Sequence, residues 1–256
     1  MEGGLRHAII QATLDAAHNA KTARDRAAAK KGARDLVTET DKRNEQLIVR
    51  AVRNVDPLIS VWGEEYGKDS RGPSRLLVID PLDATTNFAR KIELYSIMVA
   101  LFEEGVPKLG IVHLPETGEM FLAEAGKGTR IDGRRIQVTQ RRELSDAVIS
   151  VNRSNYPEDL IPAGLSVIEL LMRNALSWRN FGTAGVEYAY VASGKLDGVV
   201  TPLAEAVHAA GYLIMQEAGA KVTDHRGRPI SLESETVVAA NPELHEQLVD
   251  LVKDAF

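Results

Sequence analysis

The stretch that decides the fold is residues 78–88, V-I-D-P-L-D-A-T-T-N-F, together with the apolar residues 76–79 that lead into it. The apolar run predicts a buried strand, and Asp80 and Asp83 follow at its carboxyl end. Residues 84–86 then supply small side chains, backbone N–H groups and hydroxyls where a helix can begin. Carboxylates and N–H donors in this order suit the binding of a metal and a phosphate. The alternative is an Asp-rich turn between a strand and a helix.

Composition limits the classes of function. The chain has 256 residues, a formal net charge of −5 and no cysteine. Its charge gives no basis for a nucleic-acid partner, and disulfides, thiolate zinc sites and Cys nucleophiles are excluded. No apolar segment reaches the roughly 20 residues of a membrane span, and the N-terminus has no apolar signal core. We therefore expect a cytoplasmic protein without a membrane partner, in which an excess of carboxylates favours Mg²⁺ as the metal.

The pattern of the chain changes along its length. Residues 5–31 predict an Ala-rich helix that ends in the mixed-charge segment 21–34, and a second helix should begin at Thr40 or Asp41, one of which would be its N-cap. Residues 95–138 have turns at short, regular spacing, as in an antiparallel meander. Strands and helices alternate after residue 147, including a helix over 204–218.

Such blocks predict layered sheets and helices, not a simple doubly wound fold. A weak seam near residues 140–150 divides the chain into two predicted lobes. The N-terminal lobe, residues 1–142, contains helices, the antiparallel meander and the metal-binding motif. The C-terminal α/β lobe, residues 143–256, completes the active site.

Three further segments accompany the opening motif. Residues 36–41 (L-V-T-E-T-D) end on a carboxylate at a helix start, residues 62–65 (W-G-E-E) end a strand, and residues 209–219 read A-A-G-Y-L-I-M-Q-E-A-G. With D-P-L-D-A-T-T-N-F, in this order, they make the chain resemble the inositol monophosphatase family of Mg²⁺-dependent, lithium-sensitive sugar phosphatases. The resemblance extends from about residue 8 to residue 255, and D-P-L-D-A-T-T-N-F is its most specific part.

The resemblance implies a fold of mixed α+β and α/β character, a five-layer αβαβα sandwich that forms a homodimer. It implies two or three Mg²⁺ sites at the junction of the lobes. The implied metal ligands are Glu64, Asp80, the carbonyl of Leu82 and Asp83.

The resemblance also implies how the ester is bound and attacked. Thr85, with the acidic residues Asp41 and Glu64, would orient and activate the water. Asp83, Ala84 and Thr85 would bind the phosphate, while Thr183, Ala184 and Glu205 would line the substrate pocket. The expected activity is hydrolysis of a small polyol or sugar phosphate by metal-activated water. A phosphate monoester is nearly a dianion at neutral pH, so charge neutralisation and an in-line water are the main requirements.

Two positions depart from the family pattern. The second signature of the family is W-D-x-A-A-G, whereas residues 205–211 read E-A-V-H-A-A-G. Val207 therefore occupies the position of a metal-binding Asp, and we expect the second metal site to be weakened. Glu205 would replace the Asp by reaching back from the preceding loop, or His208 would do so if the helix start shifts by one residue. The alternatives are a first-turn Glu205 favoured by the helix dipole and a packed His208.

The second departure is Ala84, where the family prefers Gly. If this position needs a positive φ, Ala costs about 1 kcal/mol. Two other functions therefore stay open. One is a recruited family member with non-hydrolytic chemistry on a phosphorylated or acidic metabolite. The other is a catalytically impaired binding or regulatory homologue, although the presence of Thr85 with Asp41 and Glu64 favours an enzyme. The substrate itself is not predicted, because loops 152–156, 183–187 and 201–205 determine it.

Overall fold

The structure, a computed structural model, describes residues 3–32, 36–72, 74–152 and 158–256. Its helices are α1 (Gly3–Thr22), α2 (Glu39–Arg53), α3 (Thr85–Ala89), α4 (Ile161–Asn174), α5 (Ala184–Ala192), α6 (Ala209–Glu217) and α7 (Pro242–Val252). Its strands are β1 (Ala28–Lys30), β2 (Leu36–Thr38), β3 (Ser60–Gly63), β4 (Gly67–Asp69), β5 (Arg75–Asp83), β6 (Ser96–Glu103), β7 (Val106–Leu114), β8 (Glu119–Glu124), β9 (Gly128–Ile131), β10 (Arg134–Arg135), β11 (Val148–Val151), β12 (Ser177–Arg179), β13 (Gly198–Thr201), β14 (Lys221–Thr223) and β15 (Val237–Ala240).

The larger sheet has eight strands in the order β10-β9-β8-β7-β6-β5-β3-β4. The run β6 to β10 is the antiparallel meander that the turn spacing predicts over residues 95–138. Strand β5 extends it by pairing antiparallel with β6, and β3 joins β5 in parallel. The pairing of β5 with β6 shifts register between Asp80 and Asp83. A bulge of this kind bends a strand and redirects its side chains. It lies at the two carboxylates of the opening motif.

Successive side chains of β5 face opposite layers, as strand geometry requires. Leu77 and Ile79 pack with α1 and α2, whereas Val78 packs with α5 and α6. Asp80 has the same parity as Val78, so the strand presents it toward the central helices.

The smaller sheet has five strands in the order β12-β11-β13-β15-β14. One of its faces packs on the central helices α5 and α6, and the other packs on α4 and α7. The layers therefore run helix, sheet, helix, sheet, helix, which confirms the five-layer αβαβα sandwich. The division into two lobes at residue 142 stays a prediction. No helix in the described ranges is long and apolar enough to cross a membrane.

Three predicted helix bounds were wrong. Helix α1 ends at Thr22, and residues 28–30 pair with 36–38 as a two-stranded sheet, so residues 23–32 do not continue the helix. Arg26 lies over the ring of Phe88, 4.4 Å from its centroid, and this tertiary contact overrides the helix propensity of the Ala residues. Residues 33–34 of the mixed-charge segment lie outside the described residues.

Helix α2 begins earlier than predicted. Its N-cap is Thr38, whose side chain accepts the N–H of Asp41, and Asp41 in turn accepts the N–H of Thr38. This reciprocal capping box places Asp41 at the third helical position, not at the cap. The helix predicted over 204–218 is a 3₁₀ turn, Ala206–His208, followed by α6.

Close packing of the central helices explains the glycine of the A-A-G signature. A Cβ at Gly211 on α6 would lie 2.2 Å from Cδ2 of the fully buried Tyr188 on α5. We predict that Gly211→Ala lowers the free energy of unfolding by about 1–3 kcal/mol, because the central layer must move apart. Gly4→Ala on α1, where the added Cβ would make an ordinary van der Waals contact 3.8 Å from Cγ1 of Val55, is the control and should be neutral or stabilising by up to about 1 kcal/mol. Urea unfolding of both variants checks this, and equal effects would contradict it.

Candidate active site

Asp41 and Thr85 form a buried pair beside the end of β5. The Thr85 hydroxyl donates to Oδ1 of Asp41 at 2.8 Å and lies 3.3 Å from the carbonyl oxygen of Leu82. Asp41 Oδ2 accepts the N–H of Thr38 at 2.9 Å and the hydroxyl of Thr38. Burial raises the pKa of Asp41, and the bonds from Thr38 and Thr85 oppose that rise. The capping box of α2 thus fixes the carboxylate that holds Thr85.

The bulged end of β5 is held by Asp80, the first carboxylate of the motif. Asp80 is 2% exposed, and its Oδ1 accepts the N–H of Leu82 at 3.1 Å. Asn44 of α2 donates to the carbonyl of Pro81 at 3.1 Å. Burial raises the pKa of Asp80 well above its usual value, and the charges of Glu64 and Asp83 raise it further. A cation beside a carboxylate so placed favours its charged form.

Asp83 connects the eight-stranded sheet to the central helices. Its Oδ2 accepts the hydroxyl of Ser96 at 2.9 Å, the hydroxyl of Thr183, and the N–H of Gly185 at 2.8 Å. Its Oδ1 accepts the N–H of Ala184 at 3.2 Å. Thr183 and Ala184, predicted to line the substrate pocket, are therefore brought to the metal-binding motif through this carboxylate.

Glu64 follows β3 at the side of the site. Lys31 Nζ lies 3.4 Å from its Oε1 and 2.9 Å from Oε1 of Glu65. Burial raises the pKa of Glu64; Lys31 lowers it, and the charges of Glu65 and Glu205 raise it. Glu45 of α2 fixes the turn after β3 by accepting the N–H of Glu65 at 2.8 Å. Predicted ligands Glu64, Asp80 and Asp83 thus interact, and the site has a marked excess of negative charge.

Ala84 adopts a left-handed conformation, with φ 71° and ψ 52°. It immediately precedes α3, so the strained residue sets the direction of the first N–H groups of this short helix. The structure therefore shows the positive φ that the Gly preference of this position suggested. An L side chain in this region costs about 1–2 kcal/mol.

The substituted signature lies beside Asp80. Val207 is buried, and the carboxylate expected there is absent. Nε2 of His208 lies 3.6 Å from Oδ2 of Asp80 and 3.6 Å from Oε2 of Glu205. Glu205 precedes the 3₁₀ turn with an extended backbone, so the first-turn interpretation of Glu205 was wrong. Of the two candidate replacements, His208 joins Asp80 and Asp83 in one buried cluster.

Several site residues were not found by sequence reasoning. Ser96 donates a hydrogen bond to Asp83, and Thr38 donates one to Asp41. Glu187 accepts the N–H of Phe181 at 2.8 Å, at the turn that leads into α5. Burial raises the pKa of Glu187 to about 7. A capping-box pattern in T-E-T-D would have identified Thr38, but the partners of Asp83 are separated from it in sequence. Of the specificity loop 152–156, residues 153–156 lie outside the described residues.

Fold and site place the chain among layered α/β proteins with a carboxylate site between a sheet and the central helices. The model of the Inositol monophosphatase family matches residues 4–255, and the chain belongs to this family. It is 34% identical over 247 residues, 94% of this chain and 89% of the relative, to Inositol-1-monophosphatase ImpA of Mycolicibacterium smegmatis. It is 33% identical over 220 residues, 85% of this chain and 84% of the relative, to Putative Nus factor SuhB of Neisseria meningitidis.

A solved structure agrees with this assignment. The extragenic suppressor protein suhB from Bartonella henselae has a TM-score of 0.92 and 29% identity to this chain. The similarity covers 98% of this chain and 99% of that protein.

Strain at Ala84 gives a prediction that separates stability from phosphate binding. Ala84→Gly should raise the free energy of unfolding by up to about 1 kcal/mol, because Gly adopts this conformation without a Cβ penalty. It should also increase kcat/KM severalfold, since it removes the Cβ beside the N–H groups that the family resemblance predicts to bind phosphate. Lys91→Gly, at another positive φ of 60°, should gain similar stability without a gain in turnover. A gain in turnover by both variants would contradict the role of Ala84.

Glu187 gives a pH dependence. Below its ordinary pKa of 4.5 the carboxyl is neutral in both the folded and unfolded states, whereas above the folded pKa of about 7 the folded state must bury its charge. Wild type should therefore lose up to about 3 kcal/mol of stability relative to Glu187→Gln as pH rises from 4.5 to 8. Urea unfolding with EDTA measures this, with Glu169→Gln on the exposed side of α4 as control. Parallel pH profiles of wild type and Glu187→Gln would refute it.

Proposed function

We propose that the protein is a Mg²⁺-dependent phosphomonoesterase that acts on a small polyol or sugar phosphate. The observation that carries this proposal is the Thr85–Asp41 hydrogen bond beside the buried carboxylates Asp80 and Asp83. The relative ImpA, named an inositol-1-monophosphatase, supports a phosphate ester as the substrate class.

The residues of the site fit a divalent cation. Asp80, whose pKa is raised by burial and by the charges of Glu64 and Asp83, belongs to a set of hard oxygen donors in need of positive charge. Glu64, Asp80, the carbonyl of Leu82 and Asp83 would hold Mg²⁺ in two sites, of which the second is the weaker. When bound there, Mg²⁺ neutralises charge on the ester and makes a bound water more acidic.

Thr85 is the group that orients the water. Its own proton is donated to Asp41, so the hydroxyl oxygen is left to accept a proton from a water on its other side. As the water oxygen bonds to phosphorus and the bond from phosphorus to the ester oxygen breaks, Thr85 Oγ1 takes up the proton of the water and passes its own to Oδ1 of Asp41. The departing alkoxide takes a proton from solvent. The raised pKa of Asp41 makes this carboxylate a better proton acceptor than an exposed one.

Substrate oxygens are received by the chain's own donors. The N–H groups of Ala84 and Thr85 lie at the start of α3 and would bind the non-transferred phosphate oxygens. Thr183 and Ala184 start α5 on the other side of Asp83, and with Glu205 they would contact the alcohol part of the ester. The homodimer implied by the family resemblance stays a prediction.

A regulatory function is the second candidate. It is favoured by Val207, which removes a carboxylate from the second site, and by relatives named Nus factor SuhB. Phosphate release from a panel of polyol and sugar phosphates with Mg²⁺ separates the two. Release by wild type supports the phosphatase. An inert wild type with an active Val207→Asp variant would instead favour a binding role or non-hydrolytic chemistry on this scaffold.

The water-orienting pair gives a sharper prediction. Thr85→Val and Asp41→Asn should each lower kcat about 10²–10⁴-fold, the usual contribution of a positioned acid–base group. KM should change little, because neither side chain is proposed to bind the alcohol. Thr86→Val, at the exposed neighbouring position of α3, is the matched control and should retain activity. Steady-state kinetics that show equal losses for Thr85→Val and Thr86→Val would refute the role of Thr85.

A further inference from the structure

His208 occupies the place from which a side chain reaches the second metal site. The 3₁₀ turn Ala206–His208 precedes α6, so the chain carries residue 208 past Asp80 before the α-helix begins. The His208 side chain is 8% exposed, and its Nε2 points between two carboxylates, 3.6 Å from Oδ2 of Asp80 and 3.6 Å from Oε2 of Glu205. A side chain at this position thus faces Asp80, with which the missing Asp would have bound the second metal ion.

The spacing is slightly wider than that of ligand atoms around one ion. Three possible ligand atoms, one each from Asp80, Asp83 and His208, lie within 4.8 Å of one another. Two ligands bound to one ion at about 2.1 Å are at most about 4.2 Å apart. Small side-chain rotations therefore bring all three onto a single cation.

The hydrogen bonding of His208 points the same way. Its Nε2 lies farther from both carboxylates than the 2.7–3.2 Å of an ordinary N–H···O bond. A histidine that served only to neutralise Asp80 would close that gap. A buried imidazole held near two carboxylates without bonding to either is placed as a ligand would be.

We propose that His208 Nε2 replaces the missing carboxylate as a ligand of the second metal ion, together with Asp80 and Asp83. A neutral imidazole in place of a carboxylate removes one negative charge and one hard oxygen donor from the site. Imidazole nitrogen suits first-row transition metals, whereas Mg²⁺ prefers oxygen ligands. The second site therefore binds Mn²⁺ more tightly than Mg²⁺. This deepens the proposed phosphatase function and shares with it the metal ligands Asp80 and Asp83.

The test is Mn²⁺ binding to the full chain after metal removal, measured without substrate. In wild type, pulsed EPR of bound Mn²⁺ should show coupling to the ¹⁴N of an imidazole, and Mn²⁺ should bind at least tenfold more tightly than Mg²⁺ in competition. His208→Asn should lose the ¹⁴N coupling and at least tenfold in Mn²⁺ affinity. His18→Asn, on the exposed face of α1, should change neither. Circular dichroism of the metal-free variants establishes that they are folded.

The proposal is overturned if wild type shows no ¹⁴N coupling, or if the coupling persists in folded His208→Asn. It is likewise overturned if Mn²⁺ does not bind, or if wild type prefers Mg²⁺. These outcomes are distinct from failure of the proposed function. Nitrogen coupling without phosphate release from any ester would refute the phosphatase and leave the His208 ligand in place. Phosphate release with Mg²⁺ and no ¹⁴N coupling would do the reverse.

Discussion

The carboxylate of Asp83 ties the eight-stranded sheet to the central helices. It accepts hydrogen bonds from Ser96 on β6, from the Thr183 hydroxyl, and from the N–H groups of Ala184 and Gly185 at the start of α5. An anion at a helix N-terminus satisfies otherwise unpaired donors and is favoured by the helix dipole. One side chain therefore shapes the proposed metal site and also fixes how two layers of the sandwich meet. The site cannot be rearranged without disturbing that packing.

Negative charge at the end of β5 destabilises the metal-free fold. Burial and the neighbouring charges raise the pKa of Asp80, and burial raises those of Asp41 and Glu64. Among the described residues, Lys31 is the positively charged side chain that lies within 4 Å of the Glu64 carboxylate. Residues chosen for stability alone would not be arranged in this way. A cation bound at the proposed site would offset the free energy that the fold gives up here, so metal binding and stability would be linked.

Sequence reasoning recovered the parts of this molecule that depend on local pattern. Strand β5 and the antiparallel meander follow from apolar runs and turn spacing, and the two carboxylates lie at the end of β5 itself. The αβαβα layer order followed from the family resemblance. Helix α1 was predicted too long because Arg26 makes a tertiary contact with Phe88 that Ala propensity does not record. The partners of Asp83 lie 13 to 102 residues away, and the approach of His208 to Asp80 depends on a 3₁₀ turn. Such contacts are properties of the folded chain.

Asp41 has two separate tasks, and the difference between them bears on whether chemistry is retained. Its Oδ2 accepts both donors of Thr38 and completes the capping box of α2, which is reason enough for a carboxylate at this position. The cap needs nothing from Oδ1. That oxygen accepts the hydroxyl of Thr85, a residue on another element that is buried beside Asp80 and Asp83. A scaffold that only binds a partner gains little from orienting Thr85 there, whereas a water-activating pair requires that contact.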